Sequence, residues 1–227
     1  MSGEAKRYHF DDAYREATTL GDGTEVLLRT LRPSDKDALL EGFDKLSPES
    51  RYFRFLTNKT RLTEEDLERL MSVDGLNHFA LVALSTGPGP DVAGLGVARF
   101  VRLENEPEVA EPAVTVVDHA QGKGLGSLLL HRLGAAARER GITRFVCQFL
   151  ASNLPVQRLL EEYSTVCVLE HDDSGLIRAE VPVPEVDPSA YPTPADRRNI
   201  VHRMLGDSAR GTIRVRLGRL LLKYGDR

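Results

Sequence analysis

The run Val114-Thr-Val-Val-Asp-His-Ala-Gln-Gly-Lys-Gly-Leu-Gly-Ser127 leads directly into Leu128-Leu-Leu-His-Arg-Leu-Gly-Ala-Ala-Ala-Arg138. An apolar strand, a glycine-rich turn and a helix therefore follow one another without a break. Such a unit is shaped to hold an anion. Glycines at 122, 124 and 126 permit positive φ and close backbone approach. The unpaired amides that open the following helix point at whatever sits in front of them, and the helix dipole favours negative charge there. Gln121 and Lys123 add side-chain donors at the same rim, although an exposed lysine in a loop is equally at home in solvent.

Spacing separates this turn from its commoner relatives. A P-loop reads Gly-x-x-x-x-Gly-Lys-Ser/Thr, and the chain contains no such run. A dinucleotide fingerprint has its third glycine or alanine where Ser127 stands and an acid closing a second strand about twenty residues on. The acid nearest that place, Glu139, lies inside the helical pattern, which argues against a nucleotide-dependent redox domain.

The rest of the pattern describes a mixed sheet with helices packed against it, an α/β arrangement. Residues 17–20 and 24–31 flank Gly21-Asp-Gly23 as a hairpin. Ser34 is placed to cap a helix over 35–45, and Thr63, followed by three acids, starts another. Strands are expected over 78–84, 92–103 and 109–117, a helix over 124–140 ended by Gly141, and a strand over 142–150. Because that strand is reached through a helix, it is expected to run parallel to the one before the glycine turn. A helix over 155–163 and a hairpin of 165–169 with 176–183 complete the sheet. Residues 1–16 show no clean period and read as a loose arm or short helix.

Of the 227 residues, 41% are apolar and 28% charged, an ordinary globular balance. No apolar run approaches the roughly 20 residues that cross a bilayer. The first residues lack the apolar core of a secretory signal, so a cytoplasmic setting is expected. Cys147 and Cys167 sit in apolar runs and read as buried small hydrophobes. The histidines show no metal-ligand spacing. A net charge of −4 argues against nucleic-acid binding. The sign reverses in the tail, where arginines follow prolines 182, 184, 188, 192 and 194. The proline-rich stretch reads as a linker, with a helical pattern over 196–205 and strand-like alternation over 213–217. This extension is either a solvated appendage or a docking surface for an acidic partner or a second subunit in a homodimer.

Asp118-His-Ala-Gln-Gly-Lys-Gly-Leu-Gly126 resembles the acyl-coenzyme A signature of the GNAT superfamily of N-acetyltransferases, Gln/Arg-x-x-Gly-x-Gly/Ala after a strand. Leu31-Arg-Pro-Ser-Asp35 looks like the family's first strand and helix entry. Leu46-Ser-Pro-Glu-Ser-Arg-Tyr-Phe-Arg-Phe55 looks like a segment of GNAT domains related to bacterial protein-lysine acetyltransferases. The resemblance implies a GNAT domain over 24–184, preceded by an arm and first hairpin strand over 1–23 and followed by the extension over 185–227.

What it implies chemically is acetyl transfer from acetyl-CoA to a primary amine, with protein lysine favoured over a small amine. In that architecture the strand before the glycine loop carries a bulge and splays from its parallel neighbour to admit pantetheine. Backbone around Val116 and Val117 would bind pantetheine. Gln121, Gly122, Lys123, Gly124, Leu125, Gly126 and Ser127 would bind pyrophosphate, and Asn153 would lie near the coenzyme. A lysine with a pKa of about 10.4 needs a base, and Glu111 stands where such members commonly carry a glutamate; as a plain residue it is one acid of the solvated cluster 104, 106, 108 and 111. Pro112 beside it, unable to donate to a ladder, marks an edge, a strand start or a bulge. One departure stands out. Where many members have a tyrosine as general acid, this chain has Leu160, with Tyr163 a turn later. That departure keeps open a second reading, a coenzyme-binding regulatory or assembly module with little turnover.

Overall fold

The computed structural model describes residues 8–86, 93–164, 167–171 and 175–185. The extension expected to hold a helix and a strand lies outside them. Eight strands form one mixed sheet in the order β1-β2-β3-β4-β5-β6-β8-β7. They are β1 (Arg15–Thr19), β2 (Glu25–Thr30), β3 (His78–Ser85), β4 (Gly94–Leu103), β5 (Glu106–Val116), β6 (Arg144–Leu150), β7 (Val168–His171) and β8 (Leu176–Pro182). Every pairing is antiparallel except β5 with β6.

The expected first hairpin forms as the glycine turn requires: Leu20 N–H donates to the Thr24 carbonyl at 2.8 Å and Gly23 takes φ 92°. Residues 8–14 of the arm before it are held in place. Phe10 is fully buried, Glu139 accepts the amides of His9 and Phe10 at 3.2 Å, and the Arg140 guanidinium donates to the Phe10 carbonyl at 2.8 Å. One aromatic ring in the core outweighs the absence of periodicity that made the segment look unstructured.

Helices α1 (Lys36–Asp44), α2 (Pro48–Phe55) and α3 (Glu64–Met71) follow β2. Ser34 does not cap α1. It lies in a 3-10 turn, Pro33–Asp35, and Asp35 takes over: its carboxylate accepts the Arg32 amide and a bidentate pair from Arg29, all at 2.7 Å. A charged, two-oxygen acceptor outcompetes a hydroxyl for that corner. Thr63 caps α3 as expected, in a reciprocal box with Asp66. Helix α2 was not legible as a helix, because none of its side chains is fully buried and no apolar stripe shows.

The long α4 (Leu125–Glu139) and α5 (Leu154–Tyr163) cover the opposite face. From Leu125 to Ala137 only Gly126 of α4 escapes burial. Leu129 and Leu133 are fully buried against the sheet, each contributing about 1.5–3 kcal/mol and fixing the helix, and hence the turn that starts it. Gly141, φ 79°, ends α4.

Candidate active site

Strand β5 is the axis of the site. It stays in register with β4 from Ala110 to Val116, whereas it pairs with β6 only through Val109↔Arg144 and Ala110↔Phe145. Beyond Ala110 the two parallel strands share no further pair, so a gap opens in the middle of the sheet and Glu111 stands at its mouth. The irregularity expected in β5 lies just before this stretch, where the β4–β5 register steps from Arg102↔Ala110 to Leu103↔Glu106 immediately ahead of Glu111. A second irregularity lies between β3 and β4, at Ala83/Leu84 opposite Gly94 and Gly96, where glycines tolerate the kink.

Alternation settles which groups face the gap. The Glu108 carbonyl accepts from Thr143 on the β6 side, while the Val117 amide donates to Leu95 on the β4 side at 3.0 Å. Even-numbered residues of β5 therefore turn their backbone toward the gap and odd-numbered ones toward β4. Pro112 is even, so its missing N–H removes no bond from the β4 ladder. That is how a central strand accommodates it. Val116 presents its amide to the gap, whereas Val117 has its amide engaged by Leu95 and its carbonyl by Ala120.

At the far end of β5, Gly122 and Gly124 adopt φ 71° and 87°. Among the described residues, the amides of Gly122, Lys123, Gly124, Leu125 and Gly126 have no acceptor. These donors, at the start of a fifteen-residue helix, form the row of open amides that the glycine spacing predicts. Side chains fill other roles. The Gln121 amide donates to the Val116 carbonyl at 3.0 Å and reaches Asp118 and Ser50 at 3.3 Å. Asp118 accepts the Ser47 amide at 3.1 Å, tying the start of α2 to the turn. Burial pushes the Asp118 carboxyl up, but bonds from Ser47 and Ser50 prevail and hold it below its ordinary value. Lys123 pairs with Asp22 of the β1–β2 turn at 2.9 Å, both half-exposed. Ser127 is buried on α4. Asn153 caps α5, accepting the Val156 amide at 3.3 Å.

Glu111 shares a sheet face with Ala113, Thr115 and Val117, the face that α1 to α3 cover. At Glu111 itself the cover ends: the carboxylate is exposed, and its cross-strand neighbour Val101 is 45% exposed. A large acceptor can reach the mouth of the gap here. On the other face Cys147 follows the last β5–β6 pair, level with Pro112. Burial first, then Cys167 and Glu111 nearby, push its thiol up to about 12. It stays protonated at neutral pH, in keeping with the reading of both cysteines as inert.

Leu160 and Tyr163 are both buried, and the Tyr163 ring packs on His131 and Phe145 at 5.1 and 6.4 Å between centroids. Tyr163 is thus a core residue shared by α4 and α5. Two residues near the site that sequence reasoning passed over are Arg54, at the end of α2, and Arg99, on β4 opposite Ala113. The visible sign of Arg99 was a single charge inside the otherwise apolar run from Gly94 to Val101. For Arg54 no pattern marked it.

Residues 25–163 match the family described as acetyltransferase (GNAT) domain. The acetyltransferase Pat of Mycolicibacterium smegmatis is 36% identical over 165 residues, 73% of this chain and 48% of that protein. The chain thus spans about half that relative's length. An acetyltransferase of Pseudomonas aeruginosa is 32% identical over 156 residues, covering 69% of this chain and 83% of the relative. Among solved structures, the GNAT domain of S. lividans PAT superposes with TM-score 0.66 and 28% identity, covering 74% of this chain and 96% of its own. With the parted strands and the amide cradle in place, these similarities show that the chain belongs to the GNAT acetyltransferases.

Proposed function

We propose that this chain transfers an acetyl group from acetyl-CoA to a primary amine, with protein lysine as the favoured acceptor and Glu111 as general base. The observation that carries this reading is the parting of β5 from β6 just before Glu111, on the same strand that ends in the row of open amides. The amides from Gly122 to Gly126 would hold the pyrophosphate, and the gap-facing Val116 amide the pantetheine arm. When bound, the coenzyme supplies a thioester carbonyl as electrophile and a thiol as leaving group. Glu111 takes the proton from the incoming ammonium, directly or through water, so that nitrogen can attack. Since α5 offers Leu160 and a core-packed Tyr163, the departing sulfur takes its proton from solvent. A free thiol, pKa about 8.5, leaves readily as thiolate. The open sheet face around Val101 and Glu111 supports an acceptor as large as a protein side chain.

The missing acid also favours a second reading, a coenzyme-binding module with little turnover. Titration calorimetry separates binding from chemistry. Acetyl-CoA is expected to bind in the micromolar range, about −8 kcal/mol, and at least tenfold more weakly to Gly124→Glu. That variant forces a side chain onto φ 87° and adds a negative charge at the cradle. Equal affinity in the two proteins removes the coenzyme from this loop.

A further inference from the structure

Between α1 to α3 and the face of β3 to β5 lies a cavity of about 90 Å³. That is several times the ~10–15 Å³ one water needs. Its floor includes Ala113 and Thr115, the residues that follow Glu111 on its own face of β5, so it adjoins the mouth of the gap. The lining is apolar apart from the Thr115 hydroxyl and three charged side chains. Asp35 is one, but both its oxygens are engaged by Arg29 and the Arg32 amide. The other two are Arg54 and Arg99.

These guanidiniums are differently placed. Arg99 donates to the Leu70 carbonyl at 2.7 Å and lies against His78 Nε2. Arg54 makes no hydrogen bond or ion pair with any described residue and only lies near the Phe55 ring, 5.1 Å from its centroid. Burial, then the proximity of Arg54, pushes Arg99 down to about 10; burial also holds Arg54 below the usual arginine value, with Glu111 pulling the other way. An anion received between them would relieve both the desolvation and the mutual repulsion.

We propose that this cavity receives the acyl chain of a thioester donor that ends in a carboxylate, a dicarboxylate-derived acyl-CoA such as succinyl-CoA, with Arg54 as the partner of that carboxylate. The inference rests on the acyltransferase reading above and extends it to the donor. Charge decides between the two possible occupants. An acceptor amine arrives as a cation and is repelled by two guanidiniums, whereas a carboxylate is drawn to them. The transfer itself is unchanged: the thioester C–S bond breaks, an amide C–N bond forms, the amine proton leaves through Glu111 and the sulfur departs as thiolate. The terminal carboxylate keeps its charge.

Position 42 supplies an independent handle. Gly42 lies on the cavity-facing side of α1, and a Cβ built there meets nothing within 4 Å. A leucine would fill the cavity and favour the helix. The experiment is steady-state thiol release from succinyl-CoA and acetyl-CoA with one lysine-peptide acceptor. Wild type is expected to use succinyl-CoA with a kcat/KM at least equal to that for acetyl-CoA. The succinyl-to-acetyl ratio is expected to fall about tenfold or more in Arg54→Gln, the range of a lost charge-assisted bond, and likewise in Gly42→Leu. Use of acetyl-CoA with tenfold poorer use of succinyl-CoA, or an unchanged ratio in both variants, overturns the donor proposal alone. A ratio that holds while Arg54→Gln raises KM for amino-carboxylate acceptors assigns the cavity to the acceptor and also overturns it. Failure of wild type with both thioesters overturns the acyltransferase reading beneath it.

Discussion

Two residues on one face of the sheet show how neighbours decide what a titratable group does. Glu111 stays exposed at the mouth of the gap, while His78 is half-buried with Arg99 against its Nε2. An arginine only donates, so His78 must accept at Nε2 and stay neutral. Burial, then the Arg99 charge, lowers its pKa. The unfolded chain therefore binds a proton near pH 6.5 that the folded chain resists. The stability contributed by His78 is full above about pH 6.5 and is lost as pH falls through the lower folded value. Denaturant titrations at several pH values check this: the loss of stability on acidification is expected to be smaller in His78→Gln, whose amide oxygen can still accept from Arg99. A variant that acidifies along the wild-type curve refutes the assignment. None of this was readable in the sequence, where His78 is one of several scattered histidines, because its pairing with Arg99 depends on the register between β3 and β4.

Elements were legible where one feature dominated and hidden where register or neighbours decided. The glycine spacing, acids after Thr63 and the crossover helix gave the turn, α3 and the parallel pair. Helix α2 shows no apolar stripe, although Ser47-Pro48-Glu49 carried the signature of a helix start: Ser47 accepts the Ser50 amide at 3.2 Å. Gly94 and Gly96 lie opposite the irregularity in β3, whereas no glycine marks the register shift in β5 between Glu106 and Ala110. Gly134 stands in the middle of α4, where a helix former would be expected, and the structure gives its reason: a Cβ there would lie 2.1 Å from the Tyr163 hydroxyl oxygen and 3.1 Å from Cζ. The buried ring has little room to yield. Gly134→Ala is therefore expected to destabilise the fold by about 1–3 kcal/mol from overpacking, against roughly 1 kcal/mol of helix propensity in its favour. A midpoint equal to or above wild type in urea unfolding contradicts this packing.

At the scale of the molecule, the sheet is one continuous surface interrupted at one place. Antiparallel ladders hold β1 to β5 on one side and β6 to β8 on the other, and two residue pairs join the halves. Everything proposed for the site gathers at that seam: open amides at one end, Glu111 at the other, an exposed face for the acceptor and a cavity with two arginines alongside. The anion-holding shape of the turn was legible from residues 121–127 alone; the coenzyme and the seam were implied only by resemblance, since no local pattern tells a strand where to leave its partner. The most direct test is thiol release from acetyl-CoA with a lysine peptide, the peptide product checked by mass spectrometry, in wild type and Glu111→Gln. Acetylated peptide from wild type, with turnover reduced by about 10²–10⁴ in the variant while acetyl-CoA affinity is retained, is the predicted result; equal turnover in the two proteins, or none in wild type despite tight coenzyme binding, would contradict it.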